Sequence, residues 1–147
     1  MKNSSILLKM SAVLWIIWGI VHVFAGVMIV SQGTAAAYKL VADAVNPALL
    51  DIAYPDAVGA ILKQHGLNLF WIGLTTIIGG FYIWRQNVSA IFVSALVGGL
   101  ADLGYFIFVD RGGYSHFIPG GTMTIVSAVA IILSLYVYFN SNKLQTM

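Results

Sequence analysis

Three histidines, His22, His65 and His116, together with Asp102, are the side chains of this sequence best suited to bind a metal or to transfer a proton. His22 stands within the apolar stretch LWIIWGIVHVFAG, and Asp102 within GGLADLG. A charged residue at the centre of a membrane helix costs about 2.5–3.5 kcal/mol on insertion scales, and such residues usually mark a functional site. The two embedded residues therefore indicate where a site should be sought.

The composition predicts a membrane protein of one domain. Of the 147 residues, 60% are hydrophobic and 8% are charged, whereas soluble domains carry about 25% charged residues. The net charge of +2 and the lack of a basic run argue against a nucleic-acid partner. With no cysteine in the chain, disulfides, thiolate metal sites and a cysteine nucleophile are excluded.

Four apolar segments reach the length of about 20 residues that crossing a bilayer requires. They cover approximately residues 6–31, 66–84, 88–109 and 122–139. We therefore expect an all-α integral membrane protein, a four-transmembrane-helix bundle forming a single domain over 1–147. Residues 32–64 should form a partly helical outer cap, with Thr34, Asn46 and Asp56 as N-caps and a long helix running from Asp56 into span two. The turn-rich connection 110–121 is predicted to be irregular.

The positions of the basic residues predict the orientation, because cytoplasmic ends of membrane helices are enriched in Lys and Arg. With both termini in the cytoplasm, the inner side holds four of the seven basic residues, and two of these, Lys9 and Arg85, lie directly at span ends. The inner set is Lys2, Lys9, Arg85 and Lys143, and the outer set is Lys39, Lys63 and Arg111. The sequence therefore favours a multi-pass protein with cytoplasmic N- and C-termini.

Helix geometry brings the polar residues to one end of the bundle. At a rise of 1.5 Å per residue, His22 and Asp102 lie about 20 and 22 Å from the inner ends of their spans. His65 marks the outer mouth of span two, and Asn68 lies about 5 Å deeper. His116 belongs to the outer loop between spans three and four.

Small and polar residues recur at helical spacing in three spans, which is typical of surfaces that face neighbouring helices. We expect these stripes to turn toward a common interior and to bring His22 and Asp102 within hydrogen-bond reach, directly or through one water. The stripes are Ser11, Trp15, Trp18, His22 and Gly26; His65, Asn68, Ile72, Thr75 and Gly79; and Ser94, Gly98, Asp102 and Tyr105.

A metal centre is one function that these residues suit. His22, His65, Asp102 and His116 could bind zinc, copper or non-haem iron. Haem is a variant, with His22 and His65 as axial ligands on neighbouring helices. No short motif with metal-ligand spacing accompanies these residues.

A metal-free cavity for a hydrophobic small molecule is a second possibility. His22, Asn68 and Asp102 would supply its polar groups, while Trp18 and Tyr105 would line it. The ligand could be a lipid, a sterol or a quinone-like molecule, on which His22 and Asp102 could act as an acid–base pair. The sequence leaves open whether any reaction is catalysed.

A third alternative is a non-catalytic role, in which the polar cluster only joins helices. The Gly79-Gly80 and Gly98-Gly99 pairs permit close helix approach. They suit a homo-oligomer or a subunit or assembly protein of a larger membrane complex, with membrane lipid as a further partner. No motif in the chain is specific enough to indicate a family.

Overall fold

The computed structural model describes residues 2–145, and the side chains of residues 5–140. Over these residues the chain forms helices and connections without a strand. The helices are α1 (Lys2–Ser31), α2 (Thr34–Val41), α3 (Pro47–Leu50), α4 (Asp56–Trp84), α5 (Val88–Tyr105) and α6 (Thr122–Gln145). A π-helical turn over Phe106–Asp110 extends α5, and the segment Phe117–Gly121, which is kinked at Ile118, precedes α6.

Four of these helical segments are long and apolar enough to cross a membrane: Ser5–Ser31, Asp56–Trp84, Val88–Asp110 and Phe117–Asn140. The prediction of an all-helical protein with four candidate spans is therefore confirmed. The continuous helix from Asp56 into span two is also observed. The connection between spans three and four is irregular, as predicted: Gly113 has a positive φ of 71°, and Ile118 has extended rather than helical backbone angles.

Of the three predicted N-caps between spans one and two, the structure confirms one. The side chain of Asn46 accepts a 3.0 Å hydrogen bond from the backbone N–H two residues further on, as an N-cap should. The cap predicted at Thr34 is wrong, since Gly33 holds that position and Thr34 is the first helical residue. The cap predicted at Asp56 is also wrong, since Pro55 holds that position and Asp56 lies in the first turn. There its negative charge interacts favourably with the positive end of the helix dipole.

The four long helices surround a common centre. α1 packs on α4 and α6, and α5 packs on the same two helices, so α1 and α5 face each other across the bundle. The chain runs up and down alternately, with the short connection 85–87 at the end that bears the start of α1 and the end of α6. We call the opposite end, which bears the connections 32–55 and 111–116, the long-connection end.

The contact between α1 and α4 is built from small residues spaced seven apart. A β-carbon on Gly19 would lie 2.5 Å from the carbonyl oxygen of Gly73, and one on Gly26 would lie 2.5 Å from that of Gly66. Such positions let two backbones touch. Gly26, which the stripe of α1 placed on a surface facing neighbouring helices, is buried against α4. The facing pairs are Ala12 with Gly80, Gly19 with Gly73, and Gly26 with Gly66.

Two tryptophans of α1 fill the centre between α1 and α5. Trp15 and Trp18 are both fully buried, and their rings meet edge to face at 5.8 Å. The ring of Trp15 lies against Gly98 of α5, where a β-carbon would collide with it. This packing sets the distance between α1 and α5 and brings the ring of Trp18 close to Asp102 of α5.

Candidate functional site

The embedded carboxylate of Asp102 is held by a tryptophan. Trp18 Nε1 donates a 2.7 Å hydrogen bond to Asp102 Oδ2 across the centre of the bundle. Trp18 is fully buried and Asp102 is 5% exposed. The hydroxyl of Ser127, on α6, is a further polar group beside the carboxylate. The direct partner of Asp102 on α1 is therefore Trp18.

His22 is held in one orientation by its own helix. Its ring stacks on the Trp18 ring, with centroids 3.5 Å apart and planes 17° from parallel. Its Nδ1 lies 2.8 Å from the carbonyl oxygen of Trp18. A carbonyl only accepts hydrogen bonds, so Nδ1 carries the proton, and Nε2 of the neutral ring is an acceptor.

The free side of His22 faces Asp102. Nε2 lies 3.9 Å from Asp102 Oδ1, which is longer than a hydrogen bond. With the ring neutral and the carboxyl group ionised, both atoms are acceptors, so their proximity is unfavourable unless a donor lies between them. The side chains are 14% and 6% exposed. The pair is thus largely shielded from solvent.

Asn68 and His65, both predicted to join the cluster, lie at its side on α4. Asn68 Oδ1 accepts a 3.1 Å hydrogen bond from Trp71 Nε1, one turn further along the same half-exposed helix surface. His65 is half-buried and lies close enough to His22 for charges on the two rings to repel each other. α4 therefore presents a second polar layer next to His22.

Tyr105 and His116 belong to the long-connection end. The hydroxyl of Tyr105 lies beside Ser115 and near the backbone of Gly120. The backbone N–H of His116 donates a 2.7 Å hydrogen bond to Asp43 Oδ1, and the His116 residue is exposed. Both residues thus contact the connections of the bundle.

The predicted metal ligands do not form a metal-binding group in the part of the chain that the structure describes. Within residues 2–145, no three His, Asp or Glu side chains come close enough together to hold a metal ion. Of the set His22, His65, Asp102 and His116, the structure brings His22 and Asp102 to 3.9 Å. The sequence could not show that the segment bearing His116 is bonded to Asp43.

Sequence reasoning missed the contribution of α6. Ser127 lies beside Asp102, and Ala130 accepts a 2.8 Å hydrogen bond from Ser11 Oγ of α1 through its carbonyl oxygen. Ser127, Ala130 and Ser134 are small and recur at helical spacing along span four. This pattern, like those of the other spans, would have identified the inward face of α6.

No protein-family model, curated protein or solved structure matches this chain. A proposal about its function therefore rests on the geometry of the cluster formed by Trp18, His22 and Asp102.

Proposed function

We propose that this protein binds a lipid-like molecule with a neutral primary amide, whose N–H₂ group bridges His22 and Asp102. The observation that carries the proposal is the 3.9 Å separation of His22 Nε2 and Asp102 Oδ1. One nitrogen atom can lie about 2.8 Å from both acceptors at this separation. Such a nitrogen donates one hydrogen to each of them and removes their mutual repulsion.

The position of the cluster favours a neutral, largely apolar ligand. Asp102 and His22 lie within helices that are long and apolar enough to span a membrane. A charged ligand would lose most of its hydration at such a site, whereas an apolar tail leaves water at a gain of about 0.8 kcal/mol per CH₂ group. The rigid stacking of His22 on Trp18 reduces the entropy lost on binding.

The test is a native mass spectrometry titration of purified protein with oleamide and with its N,N-dimethyl derivative, which has no N–H. We expect oleamide to bind at least about tenfold more tightly, because hydrogen bonds to charged groups contribute about 1.5–3 kcal/mol. His22→Phe retains an aromatic ring and removes the acceptor, so it should abolish the preference. His116→Gln, in an exposed connection, is the matched histidine control and should retain it.

The alternatives predict other results in the same samples. A stoichiometric metal by elemental analysis, or a Soret band in the visible spectrum, would contradict the proposal in favour of a metal or haem site. Equal binding of both amides, with wild-type stability in a His22→Gln, His65→Gln double variant, would leave a non-catalytic subunit or assembly protein. Asp102→Asn should weaken oleamide binding less than His22→Phe, because the amide oxygen of Asn can still accept.

We further propose that both termini are cytoplasmic and that residues 32–64 form a cap on the outer side. The support is the location of Lys9 and Arg85 at the end of the bundle that bears the termini. Lys9 Nζ lies 5.1 Å from the centre of the Trp84 ring, a pairing common at membrane–water interfaces. Single cysteines introduced at positions 3 and 141 should react only with permeant reagents in intact cells. Labelling of either position from outside would contradict this topology.

A further inference from the structure

A cavity of about 330 Å³ lies at the long-connection end, between the π-helical extension of α5 and the start of α6. Its lining includes Asp110, Ser115, Thr124 and the apolar side chains of Phe106, Phe117 and Ile125. The volume exceeds that of several water molecules, each of which takes about 30 Å³ in the liquid. The cavity is therefore large enough for a small organic group.

Two buried oxygen atoms in this lining have no hydrogen-bond partner among the residues that the structure describes: Asp110 Oδ2 and Thr124 Oγ1. The other carboxylate oxygen, Asp110 Oδ1, accepts a 2.6 Å hydrogen bond from Ser115 Oγ. This bond fixes the carboxylate, with its second oxygen left for another donor. A buried carboxylate oxygen without a donor is costly, so the site favours a ligand that supplies one.

We propose that this cavity binds a primary organic ammonium group. Its N–H groups can donate to Asp110 Oδ2 and Thr124 Oγ1, and its positive charge complements the Asp110 carboxylate. The side chains of Phe106 and Phe117 add apolar walls. An anion would be repelled by Asp110, and a quaternary ammonium has no N–H to donate.

This site is separate from the His22–Asp102 pair. It lies about two helical turns beyond Asp102 along α5 and its extension, and it uses different side chains. A group at the end of the bundle can also carry a charge at less cost than one near the centre of a span. The ammonium site therefore does not depend on the proposed amide-binding function, and either can fail without the other.

The test is calorimetric titration of the protein, in phosphatidylcholine nanodiscs, with n-hexylammonium and with n-hexanol. We expect the wild type to bind the ammonium at least about tenfold more tightly, and Asp110→Asn to lose this preference. Thr124→Val keeps the side-chain shape, and we expect it to lower ammonium affinity about threefold to tenfold. Asp56→Asn, at an exposed position in the first turn of α4, is the matched control and should retain the preference.

Two sources of the ammonium group are distinguished by replacing part of the phosphatidylcholine with phosphatidylethanolamine. If the native ligand is a lipid headgroup, phosphatidylethanolamine should weaken hexylammonium binding to the wild type. If the ligand is a soluble amine, the affinity should not change, and either result supports an ammonium site. Equal binding of hexanol and hexylammonium, or a preference retained in Asp110→Asn with an unchanged circular dichroism spectrum, would overturn the proposal.

Discussion

Replacing Trp18 with phenylalanine should destabilise the bundle mainly by removing one hydrogen bond. Phenylalanine keeps an apolar ring but lacks the N–H that bonds Asp102 Oδ2 at 2.7 Å. Asp102 is 5% exposed, so water cannot easily replace the lost donor. A hydrogen bond to a charged group contributes about 1.5–3 kcal/mol, and the smaller ring adds a cavity cost.

A double-mutant cycle separates these two contributions. Trp18→Phe is combined with Asp102→Leu, which removes the carboxylate and keeps a branched side chain with the same number of heavy atoms. We expect a coupling free energy of about 1.5–3 kcal/mol between the two positions. This exceeds the average of about 0.6 kcal/mol for hydrogen bonds between membrane helices, because the acceptor here is a buried carboxylate.

The free energies of unfolding can be measured by reversible unfolding in mixed micelles with increasing sodium dodecyl sulfate. Trp71→Phe is the matched control, since Trp71 Nε1 also donates to a side chain, Asn68, but Trp71 is 46% exposed. Its loss should cost about 0.2–0.5 kcal/mol in hydrogen bonding, as for other pairs on one helix surface. A Trp18–Asp102 coupling below about 0.5 kcal/mol would refute the reasoning.

Three further predictions concern the packing of the helices and the connection at their long-connection end. Gly19→Ala should destabilise the α1–α4 contact by about 1–3 kcal/mol, because the new β-carbon would lie 2.5 Å from a carbonyl oxygen. Gly104→Ala, whose β-carbon would meet no atom within 4 Å, should stabilise α5 by about 0.5–1 kcal/mol in the same unfolding assay. Asp43→Ala should release the segment around His116, whose N–H donates to Asp43 Oδ1. Faster hydrogen exchange of that amide would support this role, and unchanged exchange would contradict it.

The hydropathy pattern alone was sufficient to predict four helical spans, because apolar length is a property of the sequence. Helical periodicity also identified the inward faces of α1 and α5, where Trp18 and Asp102 are buried. It could not show that Trp18, rather than His22, donates to Asp102. That choice depends on the 3.5 Å stacking of the two rings and on the distance that Trp15 sets between the helices.

The α1–α4 contact shows a second limit of reasoning from polar stripes. The stripe of α1 groups Gly26 with His22, four residues before it, whereas a spacing of seven joins Gly19 to Gly26 and Gly66 to Gly73. A repeat of seven is the period at which two helices stay in contact over several turns. This contact directs Gly26 toward α4 and leaves His22 facing Asp102.

The bonding of the bundle supports a role for His22 beyond joining helices. α1 is already attached to α6 by the bond from Ser11 to a carbonyl oxygen, and to α5 by the bond from Trp18 to Asp102. His22 adds no third bond between helices, because its Nδ1 contacts its own helix and its Nε2 stands 3.9 Å from the carboxylate. An acceptor that is fixed by stacking but still requires a donor is preorganised for binding. A residue needed only for packing could be leucine or phenylalanine, without the cost of a buried polar nitrogen.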